Sequence, residues 1–311
     1  MSCVRRLVLA GLLLCSPALE VMADGQKLKV LTSFAPIYCL VANVAGDLAQ
    51  IDNLLPGNAE PHDYQFSRKD LQRVSHADLI VLNGLGLETW LQKVLTSSAR
   101  VGPAIVVEIG AGMDSELIHS PAGEAGDASG KSTTRPNPHI WLDPQLTIHA
   151  VANISKALQK ADPAHAGGYA ANAAQFTTRL AELDADLLRD LAPLKGAAIV
   201  TYHDAFPYFA RRYGLNIVGV IERVPDVEPS LKYLAALYGS IRTNHVRAIF
   251  VDTSSRSRLA AQIGCDLHLP VAALDTLETA PLKLSAYEDA MRSNELLLLK
   301  YLKTDAQTHS R

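Results

Sequence analysis

Four cysteines in 311 residues are too few for a disulfide-built scaffold. Past the N-terminal region no run approaches the roughly 20 apolar residues that a membrane-spanning helix needs. There is no basic cluster to grip a polyanion and no acidic tail, and the net charge is only −3, so nucleic acid is excluded as an expected partner. Catalytic signatures are missing as well. The chain has no HExxH helix, no GxSxG elbow, no GxxxxGK[ST] loop and no GxGxxG at a strand end. What remains is a chain of 48% hydrophobic and 20% charged residues, ordinary for a globular fold and long enough for two domains.

At the N-terminus, Arg5 and Arg6 precede the apolar run Leu7 to Cys15, and small residues lead to Ala23 and Asp24. A positive start, a short apolar core and a small-residue end are the pattern of a secretory signal peptide. Residues 1–23 are therefore expected to be a signal that directs the protein to the periplasm. A lipid anchor at Cys15 is disfavoured by the bulky Leu14 before it. Cys39 and Cys265 then remain, one in each half of the chain, and read as two small apolar residues rather than a bridge.

Beyond residue 24, short β-branched runs alternate with helical patterns. Strands are expected over 28–34, 48–55, 78–82 and 104–109, with helices over 37–45, from Ser67 and over 90–95. Ser67 with Asp70 three residues on is a capping pair. Residues 110–138, rich in Gly, Ala, Ser and Pro, break the pattern and read as a long mobile loop. Helices follow over 144–161 and 164–191, the second carrying Phe176, Leu180, Leu183, Leu187 and Leu191 at helical spacing. Alternation resumes with strands at 197–201, 217–221, 248–251 and 271–274. Helices are expected at 205–213, 230–242, 256–263 (closed by Gly264) and 286–302. Alternating strands and helices make parallel sheets. The expected fold is α/β, with two (β/α) lobes of mainly parallel sheet joined by one long helix. The domains are an N-terminal lobe over 24–163, a linking helix over 164–192 and a C-terminal lobe over 193–311.

In open parallel sheets, ligands collect at the C-terminal ends of strands. Four side chains fall there or in adjoining loops: His62 in "EPHDYQF", His139 in "NPHIWLDP", His203 in "TYHDAF" and Asp275 in "LDTLETA". Three imidazoles and a carboxylate suit Zn²⁺, whose structural sites are four-coordinate and tetrahedral, better than Mn²⁺, which favours more oxygen. Glu60, two residues before His62, competes with Asp275 for the fourth place. A catalytic zinc keeps one position open for water, so four available ligands argue for holding the ion. The remaining histidines, 76, 119, 149, 165, 245, 268 and 309, read as loop or capping residues. Asp143, before Pro144, reads as a helix cap, with Trp141 and Leu142 as anchors.

These segments, together with "TYHDAFPYFARRYGL", "VEPSLKYLAALYGSIRTNHVRAIFVD" and "LDTL", resemble in order and spacing the metal-binding receptors of ABC importers, in the cluster (A-I) that serves zinc and manganese. The resemblance covers nearly all of the chain after the signal. It implies a rigid backbone helix, a metal site in the cleft between lobes, and delivery of Zn²⁺ to an ABC permease and its ATPase at the inner membrane. A metallochaperone is a further candidate partner, and the receptor is expected to be a monomer. By position it implies His62, His139, His203 and Asp275 as ligands, and a histidine at 203 points to zinc. The sequence departs from the family in lacking proline and glycine after Asp275 and in carrying a single histidine in the long loop. Mn²⁺ or iron as the cargo, or a secreted zinc enzyme or adhesin, are the alternatives. Small shear motions are expected on release.

Overall fold

The computed structural model describes residues 27–62, 64–96, 104–121, 134–223, 227–255 and 257–303. The expected signal peptide, part of the expected mobile loop and His309 lie outside the described residues.

The first half of the chain alternates β1 (Leu28–Thr32), α1 (Ala35–Ala45), β2 (Ala49–Asn53), α2 (Arg68–Ser75), β3 (Leu79–Leu82), α3 (Thr89–Leu95) and β4 (Ile105–Glu108). The four strands pair in parallel in the order β2-β1-β3-β4. Then come a short hairpin, β5 (His119–Pro121) and β6 (Thr134–Pro136), and two long helices, α4 (Pro144–Ala161) and α5 (Ala166–Leu191). The second half has β7 (Ala198–His203), α6 (Pro207–Tyr213), β8 (Asn216–Glu222), α7 (Leu231–Thr243), β9 (Ile249–Asp252), α8 (Arg258–Leu267) and β10 (Val271–Leu274), and ends in α9 (Ala286–Leu302). Its sheet is again parallel, in the order β10-β9-β7-β8. Read from the other edge, this is the winding of the first sheet repeated. The first strand is followed by a neighbour on one side, then the chain crosses over to build outward on the other. Each sheet thus has a switch point, between β1 and β3 and between β7 and β9, where crossovers diverge and a crevice opens at the strand ends.

Local chemistry explains the helix starts. Ser67 accepts the Asp70 amide while the Asp70 side chain accepts the Ser67 amide, a complete capping box for α2. Asp143 caps α4 through the Gln145 amide, with Pro144 at the first helical position. Helix α5 buries Tyr169, Ala173, Phe176, Leu180, Leu183, Leu187 and Leu191 along one stripe. At about 1.5 Å per residue it runs roughly 39 Å. Its buried Asp184 accepts from Gln145 of α4 (2.8 Å) and from Arg212 of α6 (2.9 Å), tying the two halves to the same helix.

One apolar core runs through both halves. It joins Val30, Leu40 and Val81 of the first half to Phe176 and Leu187 of α5 and on to Phe209, Phe250, Met291 and Leu298. A smaller core, including Val200, Leu237, Ile249 and Ile263, lies against the outer helices of the second sheet. Because the larger core is shared, wide separation of the halves would expose apolar surface at roughly 25 cal/mol per Å². Small relative shifts are the motion this packing tolerates.

Two local readings of the sequence are corrected. Residues 110–138 are not loop throughout, since they contain the β5–β6 hairpin and a fully buried Met113. Strands of three residues are too short to show an alternating pattern. Helix α8 does not stop at Gly264. It continues to Leu267, and His268, at φ 54°, closes it. Gly264 is demanded by a close approach instead, because a Cβ there would lie 2.7 Å from Cγ2 of Val271.

A second close approach joins the halves. A Cβ on Gly57 would lie 2.8 Å from the Ala280 carbonyl oxygen. The same segment rests on α1, where Leu284 O accepts from Cys39 Sγ (3.3 Å) and Asn43 Nδ2 (2.9 Å). Gly57→Ala is expected to cost about 1–3 kcal/mol, the usual range for forced overpacking, read as a lowered urea midpoint.

Candidate metal centre

Three histidines reach one point from three directions. His62 stands in the loop after β2. His139 precedes a single 3-10 turn (Ile140–Leu142) that leads into α4. His203 is the last residue of β7, at the switch point of the second sheet. Between them stands Glu278, four residues past the end of β10. Its Oε1 lies 3.1 Å from His62 Nε2 and 3.2 Å from His139 Nε2, and its Oε2 lies 3.5 Å from His203 Nε2. His139 Nε2 and His203 Nε2 are 3.4 Å apart. One ligand atom from each of the four residues falls within 4.8 Å of all the others.

Asp275, read from the sequence as the fourth member, is not in this group. Its Oδ1 accepts the Leu277 amide at 2.7 Å, and its backbone is clamped by Asn294, which accepts the Asp275 amide and donates to its carbonyl, each at 2.7 Å. The turn closes through Leu277 at φ 64° and delivers the next residue, Glu278, to the histidines. Sequence reasoning missed Glu278, and the one available signal was a second acid in the same post-strand loop. Glu60 stands beside the cluster, its Oε1 3.5 Å from the His62 amide. Of the histidines set aside, His76 is bonded to Gln72 O (2.6 Å) and His165 to Asp162 (2.7 Å), while His119 lies in β5.

The three rings are held differently. Asn137 Oδ1 accepts both the His139 amide (3.0 Å) and the ring at Nδ1 (2.9 Å). Asn137 Nδ2 reaches Asp204 O (2.7 Å), so this amide also ties the loop to the residue following His203. His203 Nδ1 meets Asp252 Oδ2 at 2.7 Å. Nδ1 is thus engaged in both rings, and Nε2 is left to face the centre.

Burial and charge set the protonation states. Burial opposes charge on His203, yet Asp252 and Glu278 outweigh it and raise the ring to about 10. Burial dominates at His139, which is lowered. At His62 burial is overcome by Glu278, and the ring is raised. Glu278 would be raised by burial, but His203, His139 and His62 hold it well below the usual carboxylate range. Glu60, mainly through burial and then through Glu278, is pushed up to about 7.

A cleft of about 260 Å³ opens onto the three histidines, with Leu85, Arg135 and Glu222 also on its walls. A larger groove of about 500 Å³, between α2 and the β1–β2 edge, shares no residue with the cluster. Size is a poor guide here, because among the described residues the converging histidines and carboxylate lie at the smaller cleft.

Comparison with known proteins points the same way. Residues 30–298 match the model of the family described as ZnuA, zinc-uptake complex component A, periplasmic. The zinc-binding protein AdcA of Streptococcus pyogenes serotype M3 is 33% identical over 270 residues, 84% of this chain and 52% of that protein. The high-affinity zinc uptake system protein ZnuA of Bacillus subtilis is 31% identical over 260 residues, 82% of this chain and 80% of that protein. The chain therefore spans about half the length of the AdcA relatives. Among solved structures, a Zn(II)-bound variant of AdcAII from Streptococcus pneumoniae superposes with a TM-score of 0.78 at 27% identity, covering 89% of this chain and 99% of that one. The solute-binding protein FpvC of Pseudomonas aeruginosa in complex with Mn²⁺ gives 0.78 at 28% identity, with the same coverage.

Proposed function

Because the chain belongs to the family of periplasmic zinc-uptake components, we propose that it is a zinc receptor, capturing Zn²⁺ outside the inner membrane and passing it to an ABC permease and its ATPase. The observation that carries this reading is the convergence of His62, His139, His203 and Glu278. Bonds of about 2.0–2.1 Å to a tetrahedral zinc set its ligand atoms about 3.3 Å apart. Three separations that share single ligand atoms, Glu278 Oε1 to His62 Nε2 (3.1 Å) and to His139 Nε2 (3.2 Å) and His139 Nε2 to His203 Nε2 (3.4 Å), lie close to that edge length, and all four residues offer ligand atoms within 4.8 Å of one another. Three neutral imidazoles and one carboxylate leave the ion with one net positive charge, and Asp252 beside His203 offsets it. Four protein ligands fill a tetrahedral shell, which favours a receptor over a hydrolytic enzyme needing an open position. Metal analysis of protein purified without chelator, followed by competition titration, tests the reading. One equivalent of zinc is expected, and a site that takes none would overturn it.

A second reading, a manganese receptor, has one observation in its favour. Glu60 borders the cluster, its Oε1 3.5 Å from the His62 amide, and Mn²⁺ accepts more oxygen ligands than zinc. Glu60→Ala separates the two readings. Zinc affinity is expected to stay within about fivefold, since the four-ligand set is untouched. A loss of several hundredfold would assign Glu60 to the shell.

Capture of zinc should also displace protons. A ligand imidazole must be neutral, whereas His203 without metal holds its proton to about 10. Its raised value means that the protonated ring stabilises the metal-free protein fully below about 6.5, the ordinary histidine value. This contribution fades as pH rises through about 10. Zinc affinity moves in the opposite sense, climbing about tenfold per pH unit between pH 6 and 8 if one proton is released. Calorimetry in buffers of different ionisation enthalpy is expected to report release of about one proton or more.

A further inference from the structure

Asp252 meets His203 at Nδ1, the ring atom turned away from the centre, and the zinc-receptor reading uses it only as a nearby negative charge. It is the last residue of β9, and its carboxylate is largely buried. β7 and β9 pair in parallel with Val200 opposite Ile249 and Thr201 opposite Phe250. Two further steps of the same register bring His203 beside Asp252, where Oδ2 meets Nδ1 at 2.7 Å. The contact is thus made by two adjacent strand ends at the switch point rather than by a loop. It is braced from the other side too, since the Thr253 amide donates to Leu274 O (3.2 Å), at the end of the strand whose loop carries Glu278.

We propose that Asp252 is a positioning residue for metal capture: its carboxylate accepts the Nδ1–H of His203, fixes the tautomer that presents Nε2 to the ion, and makes His203 the strongest nitrogen donor of the three. The comparison with His139 is internal to the molecule. There the same ring atom meets a neutral amide oxygen, that of Asn137. A carboxylate partner withdraws more positive charge from a coordinated imidazole than an amide does, so it raises the ring's basicity toward the metal. The proposal rests on the zinc-receptor reading and deepens it by assigning a determinant of affinity outside the ligand set.

Three variants of the full mature protein test it, each titrated with zinc against a chromophoric competitor. Asp252→Asn keeps shape but removes charge, Asp252→Ala removes the acceptor, and Asp252→Glu restores a carboxylate. Asp252→Asn is expected to lose about 10- to 100-fold in zinc affinity, the usual range for such partners. Asp252→Ala should lose at least as much, and Asp252→Glu should recover at least threefold over Asp252→Ala. In the two-bond ¹H–¹⁵N spectrum of the zinc-loaded native protein, His203 is expected to show a protonated Nδ1 and a metal-shifted Nε2. In Asp252→Ala that pattern should broaden or invert while those of His62 and His139 stay put. A loss of stability alone would not move one ring's signature. The proposal is overturned if Asp252→Asn binds zinc within twofold of the native protein, or if His203 keeps its signature in Asp252→Ala. Failure of the native protein itself to bind zinc would instead overturn the receptor reading on which the proposal stands.

Discussion

Glu278→Ala is expected to lower zinc affinity by more than about 100-fold, beyond the range seen when only a partner of a ligand is lost, whereas Asp275→Asn should leave it within about threefold. The two acids share one loop and are separated by two residues, so the pair isolates geometry from composition. Glu278 supplies the single anion among three imidazoles, within 3.5 Å of each Nε2. Its removal leaves three neutral nitrogens and a harder task of neutralising a dication. Asp275 holds the Leu277 amide, and asparagine retains a carbonyl oxygen for that bond. Competition titration of both variants, with circular dichroism to establish folding, reads the difference. Equal losses would mean that the turn, not the carboxylate of Glu278, sets affinity. A large loss in Asp275→Asn alone would return the fourth place to Asp275.

That contrast also shows where sequence reasoning stops. The two parallel sheets and the long helix were legible because their signals are local and repeated. Leu180, Leu183, Leu187 and Leu191 recur every three or four residues, and Ser67 with Asp70 marks a helix start. The histidines were legible as a group because each follows a strand end or opens a helix, where parallel sheets gather ligands. The fourth member was not legible, because its selection depends on a turn. With Leu277 in an ordinary extended conformation the following side chain would be carried elsewhere. A leucine at φ 64° costs of order 1–3 kcal/mol and is tolerated because its side chain is completely buried. No pattern in "LDTLETA" announces that trade between tertiary burial and local strain. The β5–β6 hairpin escaped for a related reason: three-residue strands carry no period, and the pairing of His119 with Pro136 is decided by neighbours. Asp252 shows the opposite case, since a strand-end acid is visible in "IFVD" but only the register with β7 gives it a partner.

Trp141→Ala is expected to destabilise the protein by about 3–5 kcal/mol from lost packing alone. Trp141 is fully buried, edge-on to Phe34 with ring centroids 5.2 Å apart, and its backbone carbonyl accepts from Tyr287 Oη (2.9 Å) and Thr147 Oγ1 (3.0 Å). Its indole N–H donates to the carbonyl of Thr276 at 2.8 Å, which pins the Glu278 loop to the segment that carries His139. Alanine therefore opens a cavity and also orphans a buried carbonyl, worth about 1–3 kcal/mol more. Trp141→Phe separates the two effects. It keeps an aromatic ring against Phe34 but cannot donate, so it should lose about 1–3 kcal/mol plus a smaller packing cost. It should also weaken zinc binding, because Glu278 lies two residues beyond the released Thr276. Urea unfolding with and without zinc tests both arms. Zinc is expected to restore less stability to Trp141→Phe than to the native protein, since ligand stabilisation scales with the affinity of the folded state. If Trp141→Phe gains as much from zinc as the native chain does, the indole bond serves packing alone and does not hold the fourth ligand in place.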